Sequence, residues 1–358
     1  MSTLHFKNFD QNLYLDRQQE LFAECFPEVF DKNSTDIKYS KEKYFWQYQS
    51  FPAKRRSFEY TAWIENNMVG YYAALPYVYK IGSKNFSSGM VCGVMTSPKH
   101  RKHGIFTKLG NFAAEQQQKD DVDFNLTFPI RKAVMPGFIK MGWDTAFEMP
   151  LYMKFLKADS LLRKRRLSFL TPLINLPLSL YNSVFTKRST KGIVTIVYEQ
   201  FNKILGYDEF IQTYEIQVPN TLRKDSDFSK WRYGSPEATY LFVCAYRQDR
   251  LVGFVSLRPI VREGVPSFGI IDFMSIDNTC LNSLHNEIVT QAKMKNIEAV
   301  MTMMSKTSSA KYQMISNGFL RSPFKFHFII KNLSDRIPKN VFFNEASWHL
   351  MFVDTDDL

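Results

Sequence analysis

The stretch of sequence that decides the fold is MVCGVMTSPKHRKHGIFTKLGNFAAEQ, residues 90–116. Its first part, residues 90–96, is apolar and rich in β-formers, and Ser97 and Pro98 end it. A basic run, residues 99–104, then leads into an amphipathic helix that begins near Ile105. A helix start offers unpaired N–H groups and the positive end of the helix dipole, and Gly104 lets the backbone approach a ligand closely. The pattern therefore predicts a strand, an anion-binding loop and a helix.

Within this stretch, the spacing Thr96-x-Pro98-x-x-Arg101-x-x-Gly104 resembles the acetyl-CoA pyrophosphate loop of GCN5-related N-acetyltransferases, the GNAT family. The family signature is Arg or Gln, two residues, Gly, one residue, then Gly or Ala. The resemblance implies acetyl-CoA as co-substrate, with the strand contacting pantetheine and the thioester oxygen and the loop holding the pyrophosphate. The residues implied are Val94, Met95, Thr96, Arg101, Lys102, His103, Gly104, Ile105 and Phe106. Phe106 stands where the family usually has a small residue, so we expect this loop to open slightly differently.

The family chemistry is direct attack of an amine on the acyl thioester, which requires a proton acceptor and a donor to the oxyanion. Many relatives carry a Glu on this strand, but residues 87–96 contain no carboxylate. Many also carry a Tyr four residues before the Gly that ends the last helix, and Phe138 occupies that position here. The catalytic residues therefore stay unassigned, with three candidates: Cys92, Asp354 and Asp356.

Each of these candidates has a structural alternative. In the expected alternation Cys92 shares a strand face with Val94 and Thr96. It is either an acyl carrier or, as is more common for a cysteine on a strand, a core residue. Asp354 and Asp356 follow the apolar end of the chain. This tail either reaches back to a cleft and supplies the missing carboxylate, or docks as a terminal strand with a solvated acidic end.

The 358-residue chain also shows a weak internal repeat, which fits two domains. Trp46-x-Tyr48 precedes a predicted hairpin with a turn at Asn66 and Asn67, and Trp231-x-Tyr233 precedes a second hairpin. In the second copy the basic loop is replaced by residues 277–280, an acidic sequence without Gly that is suited to capping a helix. We therefore predict an α/β fold with a mixed sheet: two GNAT-like domains in tandem, the second lacking the CoA pyrophosphate loop. The predicted segments are a domain over 1–157, a connector over 158–200 and a degenerate domain with a tail over 201–358.

The net charge of +11 is concentrated in residues 151–200, where nine Lys or Arg face only Asp159 and Glu199. These basic residues cluster at the two ends of an apolar segment, residues 167–186, rather than alternating with aromatic residues, so no nucleic-acid partner is expected. Pro172 and Pro177 interrupt the segment and argue against a membrane span. Two interpretations of 163–188 stay open, packing on a domain and peripheral contact with an anionic membrane.

The four cysteines show no disulfide or CxxC spacing, and the six scattered histidines form no ligand pattern. We therefore expect a reducing compartment and no metal site. The first 16 residues lack a continuous apolar core, so no secretory signal is expected. The predicted location is the cytoplasm, with peripheral contact at the inner membrane as an open alternative.

The resemblance implies an N-acyltransferase that moves an acetyl group from acetyl-CoA to a primary amine. The overall length and the C-terminal ending resemble tandem proteins of bacterial surface-polysaccharide gene sets, which implies an amino-sugar acceptor. Two alternatives remain: an aminoacyl-tRNA-dependent peptide-bridge transferase, and a non-catalytic CoA-binding or scaffold protein.

Overall fold

The computed structural model describes residues 3–27, 41–52, 56–129 and 132–356, and the chain divides into two compact units. The first unit is drawn from Met1–Phe147, Ser235–Glu237 and His327–Asn344. The second is drawn from Glu148–Gly234, Ala238–Phe326 and Glu345–Leu358. The boundaries fall inside two strands, β6 (Asp144–Phe155) and β13 (Leu320–Asn332), so each of these strands contributes residues to both units.

The first unit contains helices on a mixed sheet. Its helices are α1 (Gln11–Cys25), α2 (Lys41–Tyr44, continued by a π-helical turn over Phe45–Gln49), α3 (Ile105–Lys119), α4 (Met135–Lys140) and α11 (Asn340–Phe343). Its strands are β1 (Leu4–Asn8), β2 (Phe58–Ile64), β3 (Asn67–Ile81), β4 (Lys84–Thr96) and β5 (Phe124–Thr127), together with the end of β13.

The sheet of the first unit runs in the order β1, β2, β3, β4, β5 and β13. All neighbouring pairs are antiparallel except β4 and β5, which are parallel. Helix α3 packs on this sheet because Ile105, Leu109 and Ala113 form one apolar stripe, as predicted, and all three are buried. Burial of the two larger side chains, Ile105 and Leu109, contributes roughly 1.5–3 kcal/mol each. This burial fixes the start of α3 against the sheet.

The second unit repeats this arrangement. Its helices are α5 (Asp159–Lys164), α6 (Thr171–Val184), α7 (Tyr207–Gln217), α8 (Ser226–Tyr233), α9 (Leu281–Met294) and α10 (Lys306–Lys311). Its strands are β7 (Val194–Tyr198), β8 (Asn220–Leu222), β9 (Leu241–Arg247), β10 (Arg250–Arg262), β11 (Val265–Ser275), β12 (Ala299–Met303) and β14 (Trp348–His349), together with the end of β6.

In the second unit the main sheet runs β7, β9, β10, β11, β12 and β6. Again every neighbouring pair is antiparallel except one, β11 with β12. The helix after β11 and the short helix after β12 match α3 and α4 of the first unit in chain order. The prediction of two copies of one mixed α/β fold is confirmed.

Three details differ from the sequence-based expectation. The β2–β3 turn is at Glu65 and Asn66, one residue earlier than predicted, because Glu65 adopts the positive φ of 54° that the turn requires. The strand predicted near residues 147–157 pairs through Leu151–Phe155 with β12 of the second unit. In the first unit β5 pairs instead with residues 329–332. Both β5 and β12 need a short antiparallel partner. The sequence pattern of the strand near residues 147–157 does not show which of the two it pairs with.

Part of the predicted connector is helical. Helix α5 ends at Lys164, and α6 runs over Thr171–Val184 with Pro172 in its first turn and Pro177 inside it. Among the residues that the structure describes, no helix is both long and apolar enough to cross a bilayer.

Candidate functional site

Pairing between β4 and β5 stops early. The two strands are in register only from Ser88 with Phe124 to Met90 with Leu126, whereas β4 continues to Thr96. Residues 91–96 therefore have β3 on one side and no strand on the other within the described part of the chain. We call this open edge the strand wedge. An extended ligand can lie along it and bond to the backbone as an added strand would.

The strand wedge contains a β-bulge at Gly93. Cys92 pairs with Ala73 but Met95 pairs with Tyr71, so Gly93 and Val94 together oppose one residue of β3. Gly93 has a φ of 56°, which favours glycine. The bulge bends β4 at the point where β5 has left it, while Met95 and Thr96 stay paired with β3.

The bulge also corrects the predicted side-chain faces. An extra residue reverses the alternation, so Val94 packs with Val91 against the core beneath α3. Cys92 lies on the opposite face, where its Sγ is 3.6 Å from Oη of Tyr48 and 3.8 Å from Nε2 of Gln47. The expectation that Cys92 shares a face with Val94 was therefore wrong.

A basic loop, residues 97–104, connects the strand wedge to α3. Lys102 and Gly104 both have positive φ, 68° and 71°, and α3 begins at the next residue, Ile105. The side chains of Arg101, Lys102 and His103 are exposed around this turn. The predicted loop residues are thus adjacent to one helix start, together with the unpaired N–H groups of its first turn. This combination of turned backbone, positive helix end and cationic side chains fits a pyrophosphate group.

The bulky residue of the loop, Phe106, is accommodated by a glycine that the sequence pattern did not reveal. A Cβ atom on Gly137 of α4 would lie only 2.4 Å from Cε1 of Phe106. Phe106 also meets Phe138 edge to face, with ring centroids 5.2 Å apart. Its side chain is therefore turned towards α4, where the missing Cβ of Gly137 leaves the room that a larger residue needs.

Phe138 is a core residue. It is buried and contacts Phe106 on one side and Trp143 on the other, with the latter ring centroids 5.0 Å apart. It carries no hydroxyl that can donate a proton. The hydroxyl nearest to the bulge comes instead from Tyr48, on the π-helical turn after α2. A Cβ atom on Gly93 would be 2.8 Å from Oη of Tyr48.

A buried carboxylate lies close to this tyrosine. Oε2 of Glu59 accepts hydrogen bonds from Oη of Tyr44 at 2.8 Å and of Tyr71 at 2.6 Å, and Oε1 accepts from Ser57 at 2.7 Å. Burial raises the pKa of Glu59, and these three hydrogen bonds offset that effect only in part. The rings of Tyr44 and Tyr48 pack with centroids 5.2 Å apart, which links the carboxylate cluster to the bulge.

Glu59 also lines a cavity of about 810 Å³ in the first unit. The cavity wall is mostly polar. It is formed by Asn8, Phe9, Asp10, Gln11, Asn12, Gln49, Arg56, Ser57, Phe58, Glu59, Tyr60, Gln116 and Asp120. Amides, carboxylates and aromatic rings in one cavity can bind the hydroxyl groups and faces of a sugar.

The two C-terminal candidates lie in the second unit. Asp354 is fully buried, and its Oδ2 accepts a hydrogen bond from the backbone N–H of Met351 at 2.9 Å. Asp356 is exposed. The tail docks through Trp348 and His349, which pair with β8, as the docked-strand alternative predicted. The solvated acidic end of that alternative holds for Asp356 but not for buried Asp354.

The tail fills the place in the second unit that corresponds to the strand wedge. β11 and β12 pair only from Ser267 with Ala299 to Gly269 with Met301, so these strands part just as β4 and β5 do. Beyond that point the backbone N–H of Phe273 contacts Sδ of Met351 at 3.2 Å, and residues 350–353 are buried.

The second unit also lacks the basic loop. Asp277 precedes α9, and its Oδ1 accepts a hydrogen bond from the N–H of Thr279 at 2.9 Å. Burial of Asp277 raises its pKa, but the hydrogen bonds from Thr279 and the charge of Arg247 outweigh this and leave the pKa lowered. A carboxylate therefore occupies the turn where the first unit presents cations, as predicted for a copy without a pyrophosphate loop.

Comparison with known proteins identifies a domain family for the first unit. Residues 13–146 match a family model described as an acetyltransferase (GNAT) domain. No protein of curated function matches the sequence.

Three solved structures illustrate the similarity of the fold. A GCN5-related N-acetyltransferase from Anabaena variabilis is 12% identical, with 93% of this chain and 73% of that chain covered and a TM-score of 0.65. Saccharomyces cerevisiae N-myristoyltransferase with bound myristoyl-CoA and inhibitors is 12% identical, with 92% and 80% covered and a TM-score of 0.63. A tandem GNAT protein from the clavulanic acid biosynthesis pathway is 12% identical, with 94% and 100% covered and a TM-score of 0.58. The chain therefore has the fold of two GNAT-like domains in tandem, the first of which matches the family model.

Proposed function

We propose that the protein is an acyl-CoA-dependent N-acyltransferase that moves an acetyl group from acetyl-CoA to a primary amine. The observation that carries this proposal is the continuity of the strand wedge with the basic loop in the first unit. An open strand edge, a bulge at Gly93 and a cationic helix start at Gly104 follow one another along the chain. The pantetheine arm of CoA needs an open strand edge, which the strand wedge supplies. The pyrophosphate needs an anion site, which the basic loop supplies next along the chain.

In this proposal acetyl-CoA supplies the activated acyl group. The backbone of Val94, Met95 and Thr96 binds the pantetheine arm and the thioester oxygen. The loop from Arg101 to Gly104 and the first turn of α3, Ile105 and Phe106, bind the pyrophosphate. Backbone N–H groups on a strand are fixed donors, so they stabilise a developing oxyanion without reorganisation.

For the departing thiolate we propose Tyr48 as the proton donor, because its hydroxyl lies against the bulge, and the attacking amine gives its proton to water. Cys92 is 3.6 Å from that hydroxyl and positions it, while a direct acyl-carrier role for this thiol is the weaker alternative. Asp354 is buried and bonded to Met351, so it is better explained as a structural residue of the tail. Asp356 stays a catalytic candidate on the basis of the sequence alone.

For the acceptor we propose an amino sugar of a surface-polysaccharide precursor. The polar cavity beside Glu59 supports this class, because its amides and carboxylates suit hydroxyl and amine groups better than an apolar chain. Glu59 lines the cavity and bonds to Tyr71, whose strand partner Met95 belongs to the strand wedge, so one hydrogen bond and one strand pair connect the cavity to the wedge. We further propose a cytoplasmic location, which the absence of disulfide or CxxC spacing among the four cysteines supports.

The experiment that tests this function is release of free CoA thiol from acetyl-CoA in the presence of nucleotide-linked amino sugars. We expect release with an amino sugar and none with the same sugar carrying a hydroxyl in place of the amine. Tyr48→Phe should lower kcat about 100-fold with KM for acetyl-CoA unchanged. Tyr14→Phe, which removes a hydroxyl that contacts Lys7 on the same unit, is the matched control and should leave kcat unchanged.

A non-catalytic CoA-binding protein is the second candidate. The observation that favours it is the core position of Phe138, together with the absence of a carboxylate from residues 87–96. Binding of acetyl-CoA without thiol release for any amine would support this second candidate and contradict the first.

A further inference from the structure

Helix α6 presents its apolar residues to solvent. Leu173, Leu176, Leu180 and Val184 are spaced by three or four residues, which places them on one helix face. Leu173 is 72% exposed, Leu176 66%, Leu180 62% and Val184 79%. Phe169, one turn before Leu173, is 76% exposed. We call these five residues the apolar stripe.

The opposite face of α6 carries the less exposed residues Ile174, Leu178 and Tyr181, together with two asparagines that attach it to the second unit. Asn175 accepts a hydrogen bond from the N–H of Ala158 at 3.0 Å and donates to Asp159 at 2.6 Å. Asn182 donates to the carbonyl of Phe155 at 3.0 Å. These bonds fix the rotation of the helix. Apolar residues therefore lie on both sides of α6, and the apolar stripe cannot turn inward without breaking these hydrogen bonds.

The charge around the stripe selects its partner. Residues 160–198 contain no Asp or Glu, and seven cations stand at the two ends of the stripe: Arg163, Lys164, Arg165, Arg166, Lys187, Arg188 and Lys191. Only Lys164 among them forms an ion pair in the structure, with Glu263 at 3.1 Å on the surface, within the described part of the chain. A partner that covers leucines and also meets cations at both ends must be apolar inside and anionic at its surface.

We propose that the apolar stripe is a docking surface for an anionic lipid bilayer. Apolar residues on one face with Lys and Arg beside them are typical of helices that lie in the membrane interface. The 14 residues of α6 extend about 21 Å, less than the roughly 30 Å of a bilayer core, and Pro177 interrupts its hydrogen bonds, so the helix lies along the surface. Self-association through the same stripe would bring two basic clusters together, which disfavours a second copy as the partner.

This inference does not depend on the proposed transferase activity. The test is co-sedimentation of the full-length protein with vesicles of phosphatidylcholine alone and of phosphatidylcholine mixed with phosphatidylglycerol. We expect binding to the mixed vesicles only. The variant Leu173→Ser, Leu176→Ser, Leu180→Ser should weaken this binding at least about tenfold. The variant Arg163→Ser, Arg165→Ser, Arg166→Ser should weaken it to a similar degree.

The matched control replaces three other exposed apolar residues of the second unit, Leu205→Ser, Ile216→Ser and Met294→Ser, which are 70%, 83% and 70% exposed. It should bind vesicles as the unmodified protein does. Circular dichroism and acetyl-CoA affinity, which should be unchanged in every variant, separate loss of docking from loss of fold.

Three results would overturn the proposal. The first is equal binding to neutral and anionic vesicles or to neither. The second is loss of binding in the arginine variant but not in the leucine variant, which would mean that charge alone attracts the protein. The third is that the protein binds no vesicles but forms a concentration-dependent dimer, and that only the leucine variant loses this dimer.

Discussion

The hydroxyl of Tyr48 lies against the bulge of β4, so close that a Cβ atom on Gly93 would be 2.8 Å from it. Two features of the sequence meet here. Gly93 supplies the positive φ that the bulge needs, and its missing side chain makes room for the tyrosine. The bulge therefore positions both the backbone of the strand wedge and the hydroxyl proposed to act on the thiolate.

The variant Gly93→Ala should lower both stability and activity. Alanine must adopt a φ of 56° and also displace Tyr48. We expect a loss of about 1–3 kcal/mol in the free energy of unfolding of the first unit, together with weaker acetyl-CoA binding. Urea unfolding and calorimetric titration measure the two effects.

Gly82→Ala is the matched control for this variant. Gly82 has a similar φ of 61°, but a Cβ atom there would have no neighbour within 4 Å. It should lose only the smaller cost of positive φ and bind acetyl-CoA normally. Equal effects of the two alanines would show that the contact with Tyr48 has no importance.

The packing of Phe106 on Gly137 predicts a coupled pair. Gly137→Ala should weaken acetyl-CoA binding, because the new methyl group pushes the Phe106 ring and with it the first turn of α3. In a Phe106→Ala background the same substitution should be nearly neutral, giving a coupling energy of about 1–2 kcal/mol in a double-mutant cycle. Additive effects in calorimetric titration would contradict the account of how the large loop residue is accommodated.

Buried His349 predicts acid sensitivity of the second unit. Burial and the charge of Lys224 lower its pKa from 6.5 to about 4, and outweigh the hydrogen bond and charge of Asp272, which raise it. Below pH 6.5 the unfolded chain binds a proton at His349, whereas the folded chain binds it only near pH 4 and below. Its contribution to stability is therefore present at neutral pH and lost as the pH falls from 6.5 to 4.

In the variant His349→Gln, the free energy of unfolding should fall less steeply as the pH is lowered over this range. The total fall should be smaller than in the unmodified protein by up to about 3 kcal/mol. Some slope should remain, because burial also lowers the pKa of His285 to about 4. The informative quantity is the slope with pH, since the substitution also removes a hydrogen bond to Asp272. Parallel curves for the variant and the unmodified protein would mean that His349 is protonated in the folded chain.

The sequence predicted the local structure around the basic loop well. Helix α3 begins at Ile105, as its amphipathic pattern and Gly104 indicated. The missing loop of the second copy was visible because residues 277–280 are acidic and lack Gly. These features depend on neighbours in the chain, which a sequence shows directly.

Other features depend on residues distant in the chain and were missed. The glycine in the middle of β4 was a signal for a bulge, but its partner Tyr48 comes from a separate helical turn. Gly137 makes room for Phe106 only because α4 packs on α3. The outward face of α6 was also hidden, since α6 has apolar residues on both sides and the hydrogen bonds of Asn175 and Asn182 mark the side that is attached.

The central claim is that the basic loop of the first unit binds the pyrophosphate of CoA. The direct test is calorimetric titration of the double variant Arg101→Ala, Gly104→Asp with acetyl-CoA and with desulfo-CoA. The control is Arg262→Ala, Gly264→Asp in the β10–β11 turn, where Gly264 also has a positive φ, 81°. We predict one site of micromolar affinity in the unmodified protein and in the control, and no binding in the loop variant, because a carboxylate there repels the pyrophosphate. Unchanged affinity in the loop variant would contradict the assignment.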